Sequence, residues 1–283
     1  MRSAGKGLVF LVVLAVVVGT GVALWRGSGP LPDPERCRAR LGAHTVILST
    51  EQAENASLIA AIGVGRGLPA RAVSIALATA YQESKIRNLD HGDRDSLGLF
   101  QQRPSQGWGR PDQLQNPHYA TNAFYDALEK IDGYQEMRIT EAAQRVQRSG
   151  FPEAYEDHAA DARTLASVLT GFSPGGRFTC VVRESEERQT AAEVQRVLGR
   201  AYGDLETQRT GSRQDFAVNV GSDETGRRLG WSVAQFLVAH GVRLRPAQVT
   251  FDGRQWRTGR DSEDGWQEAD QAASRDRVRI SMG

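Results

Sequence analysis

The chain has 283 residues, enough for two modest domains that each bury a core. Its 35 basic and 34 acidic side chains nearly cancel, to a formal net charge of +1, so the composition carries no electrostatic footprint of nucleic-acid binding. The five histidines lack helical ligand spacing and the two cysteines form no Cys/His cluster, which argues against a zinc enzyme. A nucleophile-elbow motif for Ser/His/Asp chemistry is also missing from the sequence.

The N-terminus carries one long apolar stretch, Gly7–Trp25, which follows the basic residues Arg2 and Lys6. At about 1.5 Å per residue, a helix over this stretch just crosses a hydrocarbon core of roughly 30 Å. The positive charge ahead of it favours a cytoplasmic N-terminus. We therefore predict a signal-anchor over residues 1–26, a single pass of the cell membrane with the bulk of the chain extracytoplasmic. The alternative is a cleaved signal peptide and a secreted protein.

Changes in composition divide the rest of the chain. Residues 27–36 are rich in Gly and Pro and are typical of a linker. A first domain is predicted over 37–172 and a second over 190–283. The segment 173–189 between them contains a Pro-Gly-Gly run followed by acidic residues, and we interpret it as a second linker.

Cys37 is the first residue of the first domain, and the other cysteine, Cys180, lies just beyond that domain. In an exported chain such a pair indicates a disulfide that clamps the ends of the domain together. The alternative is two unpaired buried thiols.

The first domain is predicted to be mostly helical. Thr50 is a plausible N-cap for its first helix, and Pro69 suits the first position of the next helix, which carries Glu83 near its end. Helical spacing of apolar residues recurs in three later stretches, Tyr119–Ile131, Thr140–Val146 and Tyr155–Leu169.

The second domain changes to an α/β pattern. Its predicted elements are a helix over Ala191–Ala201, a strand over Phe216–Val220, a helix over Leu229–His240, a hairpin over Val249–Thr258 that turns at Asp252-Gly253, and a last strand over Val278–Ser281. Three tryptophans of this domain are predicted to lie in its core rather than to bind sugars, namely Trp231, Trp256 and Trp266.

Glu83 stands out in the first domain. On a helix, Ala76, Thr79 and Ala80 share its face, so its carboxyl group has small, mostly apolar neighbours. Partial desolvation there would raise its pKa and keep it protonated for general acid catalysis. The alternative is an ordinary solvated glutamate in a last helical turn.

The run Glu83-Ser84, a polar loop, and then Gly98–Gln101 (Gly-Leu-Phe-Gln) resembles the signature of the soluble lytic transglycosylase and goose-type lysozyme superfamily. The resemblance covers roughly Thr50–Leu169. It implies a lysozyme-like domain, and hence an α+β chain in which a mostly α-helical domain precedes a small α/β domain. The second domain, with Trp231, Phe251–Arg254 and Trp256, resembles a small C-terminal domain of actinobacterial cell-wall proteins.

The resemblance also implies a function, the cleavage of the β-1,4 bonds of peptidoglycan glycan strands by a lytic transglycosylase or muramidase without a cofactor or metal. Glu83 would be the catalytic acid, Ser84 would support its surroundings, and Gln101 would line the sugar cleft. The full set of residues predicted near the substrate is Ser84, Gln101, Gln102, Trp108, Tyr119 and Gln147. Aromatic stacking on sugars is expected of Trp108 above all, whereas Phe124 and Tyr125 are expected in the core.

Candidates for a second acid lie in the loop after Glu83, at Asp90, Asp93 and Asp95. Their spacing also resembles a calcium loop, but the full pattern and its terminal glutamate are missing, so we expect these acids to shape the loop. Lytic transglycosylases, by the resemblance, manage with a single glutamate because the 6-hydroxyl of the sugar attacks.

One departure from the superfamily concerns a later Ala-Tyr-Asn-x-Gly motif, whose tyrosine contacts the catalytic acid. The matching stretch here, Ala143–Gly150, has no tyrosine. Gln147 is a candidate to replace the asparagine, and Tyr155 is a candidate to approach from the following segment. A non-catalytic protein that binds cell-wall glycan or acts as a scaffold is therefore the alternative function.

Overall fold

The structure is a computed structural model that describes residues 34–148, 153–187, 189–211, 214–270 and 274–283. The predicted signal-anchor at 1–26 lies outside the described residues. Within the described ranges, no helix combines the length and the apolar character needed to cross a membrane.

The first folded element is a three-stranded antiparallel sheet that the sequence interpretation did not include. Strand β1 (Cys37–Leu41) lies in the centre, with β2 (His44–Leu48) on one side and β3 (Phe178–Cys180) on the other. The register pairs Cys37 with Cys180, and the two form the predicted disulfide. The disulfide itself is therefore confirmed, and it joins two strands of one sheet.

Two long helices follow strand β2 along the chain. Helix α1 (Thr50–Gly65) begins after Ser49, whose hydroxyl accepts from the Gln52 backbone N–H while the Gln52 side chain accepts from the Ser49 N–H. The prediction of Thr50 as N-cap was wrong by one residue, because only Ser49 completes this capping box. Helix α2 (Ala70–Ser84) begins one residue after Pro69, which is its N-cap and not its first residue.

The remaining helices largely follow the predicted stretches. Their bounds in the described chain are α3 (Pro111–Leu114), α4 (Pro117–Leu128), α5 (Ile139–Gln147), α6 (Ala159–Leu169), α7 (Ala191–Tyr202), α8 (Glu224–Ala239) and α9 (Gly241–Leu244). Short 3₁₀ turns occupy Pro104–Gln106, Glu156–His158 and Arg260–Asp264. Helix α4 begins earlier than predicted because the Asn116 side chain accepts from the His118 N–H and caps the helix ahead of Tyr119.

A six-stranded antiparallel sheet fills the C-terminal part. Its strands are β4 (Thr207–Arg209), β5 (Phe216–Asn219), β6 (Gln248–Phe251), β7 (Arg254–Arg257), β8 (Gln267–Glu268) and β9 (Arg277–Ser281), in the order β4-β5-β9-β6-β7-β8. The β6–β7 hairpin turns at Asp252-Gly253 as predicted, and both turn residues have positive φ, as a tight hairpin turn requires.

The α+β class is confirmed, and the helical and C-terminal parts share one hydrophobic core within Glu35–Gly283, which forms one compact unit. Indole N–H groups from the C-terminal part donate to β3, from Trp256 to the Cys180 carbonyl at 3.2 Å and from Trp266 to the Phe178 carbonyl at 2.8 Å. Trp231 lies fully buried beneath Phe251, so the core positions predicted for the three tryptophans are confirmed. The domain boundary at 173–189 remains a prediction.

Candidate active site

Glu83 lies in the last turn of α2, a helix that is nearly enclosed by its neighbours. The three residues predicted to share its face, Ala76, Thr79 and Ala80, are all 0% exposed. Glu83 itself is half-buried. The helix therefore delivers a carboxyl group from the core to the edge of the fold.

Ser84 ties the end of α2 to the Gly98–Gln101 turn. Its hydroxyl lies 2.7 Å from the Leu99 carbonyl and 3.0 Å from the Ala80 carbonyl, and Ser84 is 4% exposed. A side chain buried this far offers almost no surface to a substrate. Ser84 therefore fixes the end of α2 against the turn, and its predicted contact with substrate has no support in its burial.

The backbone after Glu83 reverses sharply. Lys85 and Ile86 both have positive φ, of 56° and 58°, and for the β-branched Ile86 this is a strained conformation. Side chains from α1 hold the two residues in place, because Gln52 Nε2 donates to the Lys85 carbonyl at 2.8 Å and Asn55 Nδ2 to the Ile86 carbonyl at 2.9 Å. Strain of this kind is found most often at functional sites.

The Gly98–Gln101 turn lies opposite this helix end. Gly98 has φ of 76°, and a Cβ there would lie 2.3 Å from the Leu114 carbonyl oxygen, so only glycine fits. Gln101 also has positive φ, and its side-chain amide donates to the carbonyls of His91 and Gly98, each at 3.3 Å. Gln101 thus braces the loop, and its contact with sugar stays a prediction.

Tyr155 supplies the contact that the sequence motif lacked. Its hydroxyl donates to Glu83 Oε1 at 2.7 Å, and the tyrosine is 0% exposed. Gln147, the last residue of α5, donates from Nε2 to the Phe100 carbonyl at 2.6 Å and also hydrogen-bonds to Glu83. Both candidates raised in place of the missing motif therefore meet at the glutamate.

Burial raises the pKa of Glu83 above its ordinary value, and this desolvation outweighs the hydrogen bonds from Tyr155 and Gln147, which act in the opposite direction. A carboxyl group in this setting retains its proton to higher pH than a free glutamate. In the described chain no acidic side chain contributes to this shift, so it comes from burial and not from a neighbouring charge.

A cavity of about 680 Å³ is connected to this site through Gln147, which lines the cavity and also contacts Glu83; Glu83 and Tyr155 themselves are not part of the lining. Trp108 lines the same cavity, and the Tyr119 hydroxyl holds the Trp108 loop through its carbonyl at 3.1 Å. The lining mixes apolar, amide and cationic groups, namely Gln106, Gly107, Trp108, Ala127, Lys130, Ile131, Arg145, Val146, Gln147 and Arg148. Such a mixture of an aromatic face with polar groups suits a carbohydrate.

Asp95 is committed to the loop. Its carboxylate accepts from Arg103 Nε at 2.7 Å and from the Ser105 backbone N–H at 2.8 Å, and these contacts hold its pKa well below the usual range. For Asp95 this agrees with the expectation that the loop acids shape the loop.

The other two loop acids face solvent. Asp90 accepts from His91 at 2.7 Å, which lowers its pKa, and Asp93 lies 3.9 Å from Arg94. Neither contributes to the pKa of Glu83. Across the described ranges no cluster of three or more His, Cys, Asp or Glu side chains could hold a metal ion.

Gln102 requires a correction. It is 1% exposed, and its amide donates to the Ala120 carbonyl at 3.2 Å, so it packs between the turn and α4 and cannot touch a substrate. Phe124 and Tyr125 are fully buried, as predicted.

Sequence reasoning missed three contributors to the site. Gln52 and Asn55 hold the reversed backbone after Glu83, and His158 stacks on Tyr81 with ring centroids 4.7 Å apart. The spacing of Ser49 and Gln52 could have indicated the capping box at the start of α1. Nothing in the local sequence pointed to Asn55 or His158.

No protein-family model matches the sequence, and no match is found among curated proteins.

Proposed function

We propose that this protein cleaves peptidoglycan glycan strands as a lytic transglycosylase, with Glu83 as general acid and then general base. The observation that carries the proposal is the hydrogen bond from the buried Tyr155 hydroxyl to a carboxyl group whose pKa burial has raised. A protonated carboxyl group in a fixed orientation is what general acid catalysis requires near neutral pH. The predicted signal-anchor would hold the enzyme at the outer surface of the cell membrane.

In the first step Glu83 protonates the bridging oxygen of the β-1,4 bond while the bond from that oxygen to the sugar C1 breaks. The sugar then carries oxocarbenium character, and Glu83 has become a carboxylate. In the second step the 6-hydroxyl of the same sugar bonds to C1 and gives its proton to Glu83. The products are a shortened strand and a 1,6-anhydro end, no water is consumed, and Glu83 regains its proton.

The isolation of Glu83 favours this route over a retaining hydrolase. A retaining hydrolase needs a second carboxylate about 5 Å away, and at that distance a second negative charge would raise the pKa of the first. The described residues contribute no such charge to Glu83, and Asp95 is held by Arg103. A nucleophile supplied by the substrate removes the need for a second acid.

The 680 Å³ cavity is the proposed position of a sugar next to the cleaved bond. Trp108 offers a ring face to the apolar side of a pyranose, and Gln147 offers an amide that also contacts Glu83. Gln101 contributes in our proposal by holding the loop beside the turn.

The test compares Glu83→Gln with the native sequence in the fragment Glu35–Gly283, on purified peptidoglycan with products read by mass spectrometry. General acid–base catalysis contributes about 10²–10⁴-fold, so we expect at least a hundredfold loss of product in the variant. Glu136→Gln, at an exposed position, is the matched control and should keep full activity. Thermal melting of Glu83→Gln should stay level or rise, because a partly desolvated acid becomes a neutral amide.

The products decide between the possibilities. Anhydro-muropeptides support the transglycosylase, and reducing ends would mean a muramidase that uses water. If no product is released but the fragment sediments with insoluble cell wall, the non-catalytic glycan-binding alternative replaces the enzyme. A large fall in melting temperature for Glu83→Gln with activity per folded molecule retained would remove Glu83 as the acid.

A further inference from the structure

The outer face of the three-stranded sheet is basic. Along β1, Cys37 and Ala39 are buried and Arg38 and Arg40 are exposed, so the alternation turns both guanidinium groups away from the core. The Arg40 backbone N–H donates to the Arg177 carbonyl at 2.9 Å, which brings a third exposed arginine to the same end of the sheet. We name Arg38, Arg40 and Arg177 the arginine face.

These three arginines have no carboxylate partner. In the described part of the chain none of the three makes an ion pair or a side-chain hydrogen bond. Other arginines are paired with acids, for example Arg66, Arg103, Arg110, Arg138, Arg145 and Arg196. Arginines without an ion pair occur elsewhere on the surface too, but Arg38, Arg40 and Arg177 lie together on one face of the sheet and concentrate their charge there.

The arginine face is concave. All three arginines line a cavity of about 350 Å³ together with Thr179 and the edge of Trp266, and Asp264 is the acidic residue in its lining. Three positive charges against one negative charge leave a net attraction for anions. Because a guanidinium group binds phosphate oxygens in a planar, bidentate manner, a phosphate group suits this cavity.

An apolar side chain stands beside these charges. Ile47 lies directly opposite Arg38 on β2, on the same face of the sheet, and is 59% exposed. It is the most exposed of the three large hydrophobic side chains that are exposed in the described chain, the others being Leu41 and Phe172. An exposed aliphatic group next to cationic groups suits a surface that rests on a lipid headgroup layer.

We propose that the arginine face and Ile47 dock on an anionic phospholipid surface, with lipid phosphates at the guanidinium groups. Charge complementarity supports the lipid, and so does the chain outside the sheet. The linker 27–36, fully extended, spans at most roughly 35 Å before the chain enters β1 at Cys37. This second argument rests on the predicted signal-anchor. A tether this short would keep the sheet close to the membrane and raise the effective concentration of the arginine face at the lipid surface.

The experiment uses the fragment Glu35–Gly283, which contains the complete core and the disulfide and lacks the predicted anchor. Flotation with phosphatidylglycerol vesicles is compared with flotation using phosphatidylcholine vesicles at low and high salt. We expect binding to the anionic vesicles alone, lost at high salt. Each arginine near an anionic surface contributes roughly fivefold, so the triple variant Arg38→Gln/Arg40→Gln/Arg177→Gln should bind on the order of a hundredfold more weakly.

The matched control is Arg200→Gln/Arg254→Gln/Arg209→Gln, which removes the same charge from three exposed arginines that also lack an ion pair in the described chain. The proposal fails if the fragment does not bind anionic vesicles at low salt, or if both triple variants lose binding equally. If the fragment binds a phosphate-rich wall polymer through the arginine face but does not bind the vesicles, that polymer replaces the lipid as the proposed ligand. Cleavage of soluble glycan fragments should be unchanged in the arginine-face variant, which separates this test from that of Glu83.

Discussion

Replacing Tyr155 with phenylalanine removes one oxygen atom and leaves the ring in the core. The lost hydroxyl donates to Glu83 Oε1 at 2.7 Å, and no other atom of the residue changes. The variant therefore asks whether that hydrogen bond tunes and orients the proposed acid.

The expected size of the effect follows from the two protonation states. A hydrogen bond to a carboxylate contributes about 1.5–3 kcal/mol, and one to a neutral carboxyl group about 0.5–1.5 kcal/mol. The Tyr155 hydroxyl thus favours the charged form of Glu83 by roughly 1–1.5 kcal/mol, which corresponds to about one pH unit. Without it the pKa of Glu83, already raised by burial, should rise by about one further unit.

The assay is the pH dependence of kcat/KM for a soluble glycan fragment. Because Glu83 must be protonated to act as the acid, activity should fall as pH rises through its pKa. In Tyr155→Phe this alkaline limb should lie about one pH unit higher than in the native protein. The carboxyl group keeps its contact with Gln147 but loses the one with Tyr155, so its orientation is less well fixed and we expect kcat/KM at the optimum to fall by on the order of ten- to a hundredfold.

Tyr125→Phe is the control, since its buried hydroxyl donates to the Ile59 carbonyl at 2.9 Å and makes no contact with Glu83. It should cost about 1 kcal/mol of stability, as Tyr155→Phe should, and leave the alkaline limb in place. An unshifted limb in Tyr155→Phe with normal folding would refute the reasoning. If the alkaline limb of the pH profile moves equally in both variants, it reports the stability of the fold and not the pKa of Glu83.

Three further predictions concern the scaffold. Lys85→Gly should raise the free energy of unfolding by roughly 0.5–1 kcal/mol, and the melting temperature with it, because glycine accepts the left-handed conformation of the residue that ends α2. A lower melting temperature in calorimetry would contradict this. Burial lowers the pKa of His240 to about 3. The native protein should therefore lose stability as pH falls from 6.5 towards 3, because the unfolded chain binds a proton that the native protein does not. In His240→Gln the change of unfolding free energy with pH, measured by urea denaturation, should be smaller by about 1.4 kcal/mol per pH unit. Cys37→Ala/Cys180→Ala opens a loop closed over a sequence separation of 143, and chemical denaturation should show a loss of up to about 5 kcal/mol.

The elements that sequence reasoning located are those whose signals are local. Apolar spacing placed α2 and put Glu83 at its end, and the Asp252-Gly253 pair placed a hairpin turn. Most errors at helix starts were of one or two residues, because a cap depends on which side chain reaches back. Helix α6, however, begins four residues later than predicted, and α8 begins five residues earlier. At α1 the deciding group was the Gln52 side chain.

The three-stranded sheet was missed because its evidence is not local. Strands β1 and β2 have five residues each, and β3 has three, too short for alternation to stand out from a linker. The pairing of β1 with β3 joins segments separated by most of the first domain. The predicted disulfide carried the missing information, because two bonded cysteines bring their backbones within strand-pairing distance.

Tyr155 illustrates the same limit at the site. A motif search expects the tyrosine at a fixed position between Ala143 and Gly150, whereas catalysis requires only that a hydroxyl reach the carboxyl group of Glu83. Here the hydroxyl arrives from 72 residues along the chain, and Gln147 links the same carboxyl group to the Phe100 carbonyl in the turn. The glutamate is thus held where the end of α2, the turn and the segment around α5 converge. A missing motif position is therefore weak evidence against catalysis when the atom it would supply is present, and the pH profile of Tyr155→Phe weighs that atom directly.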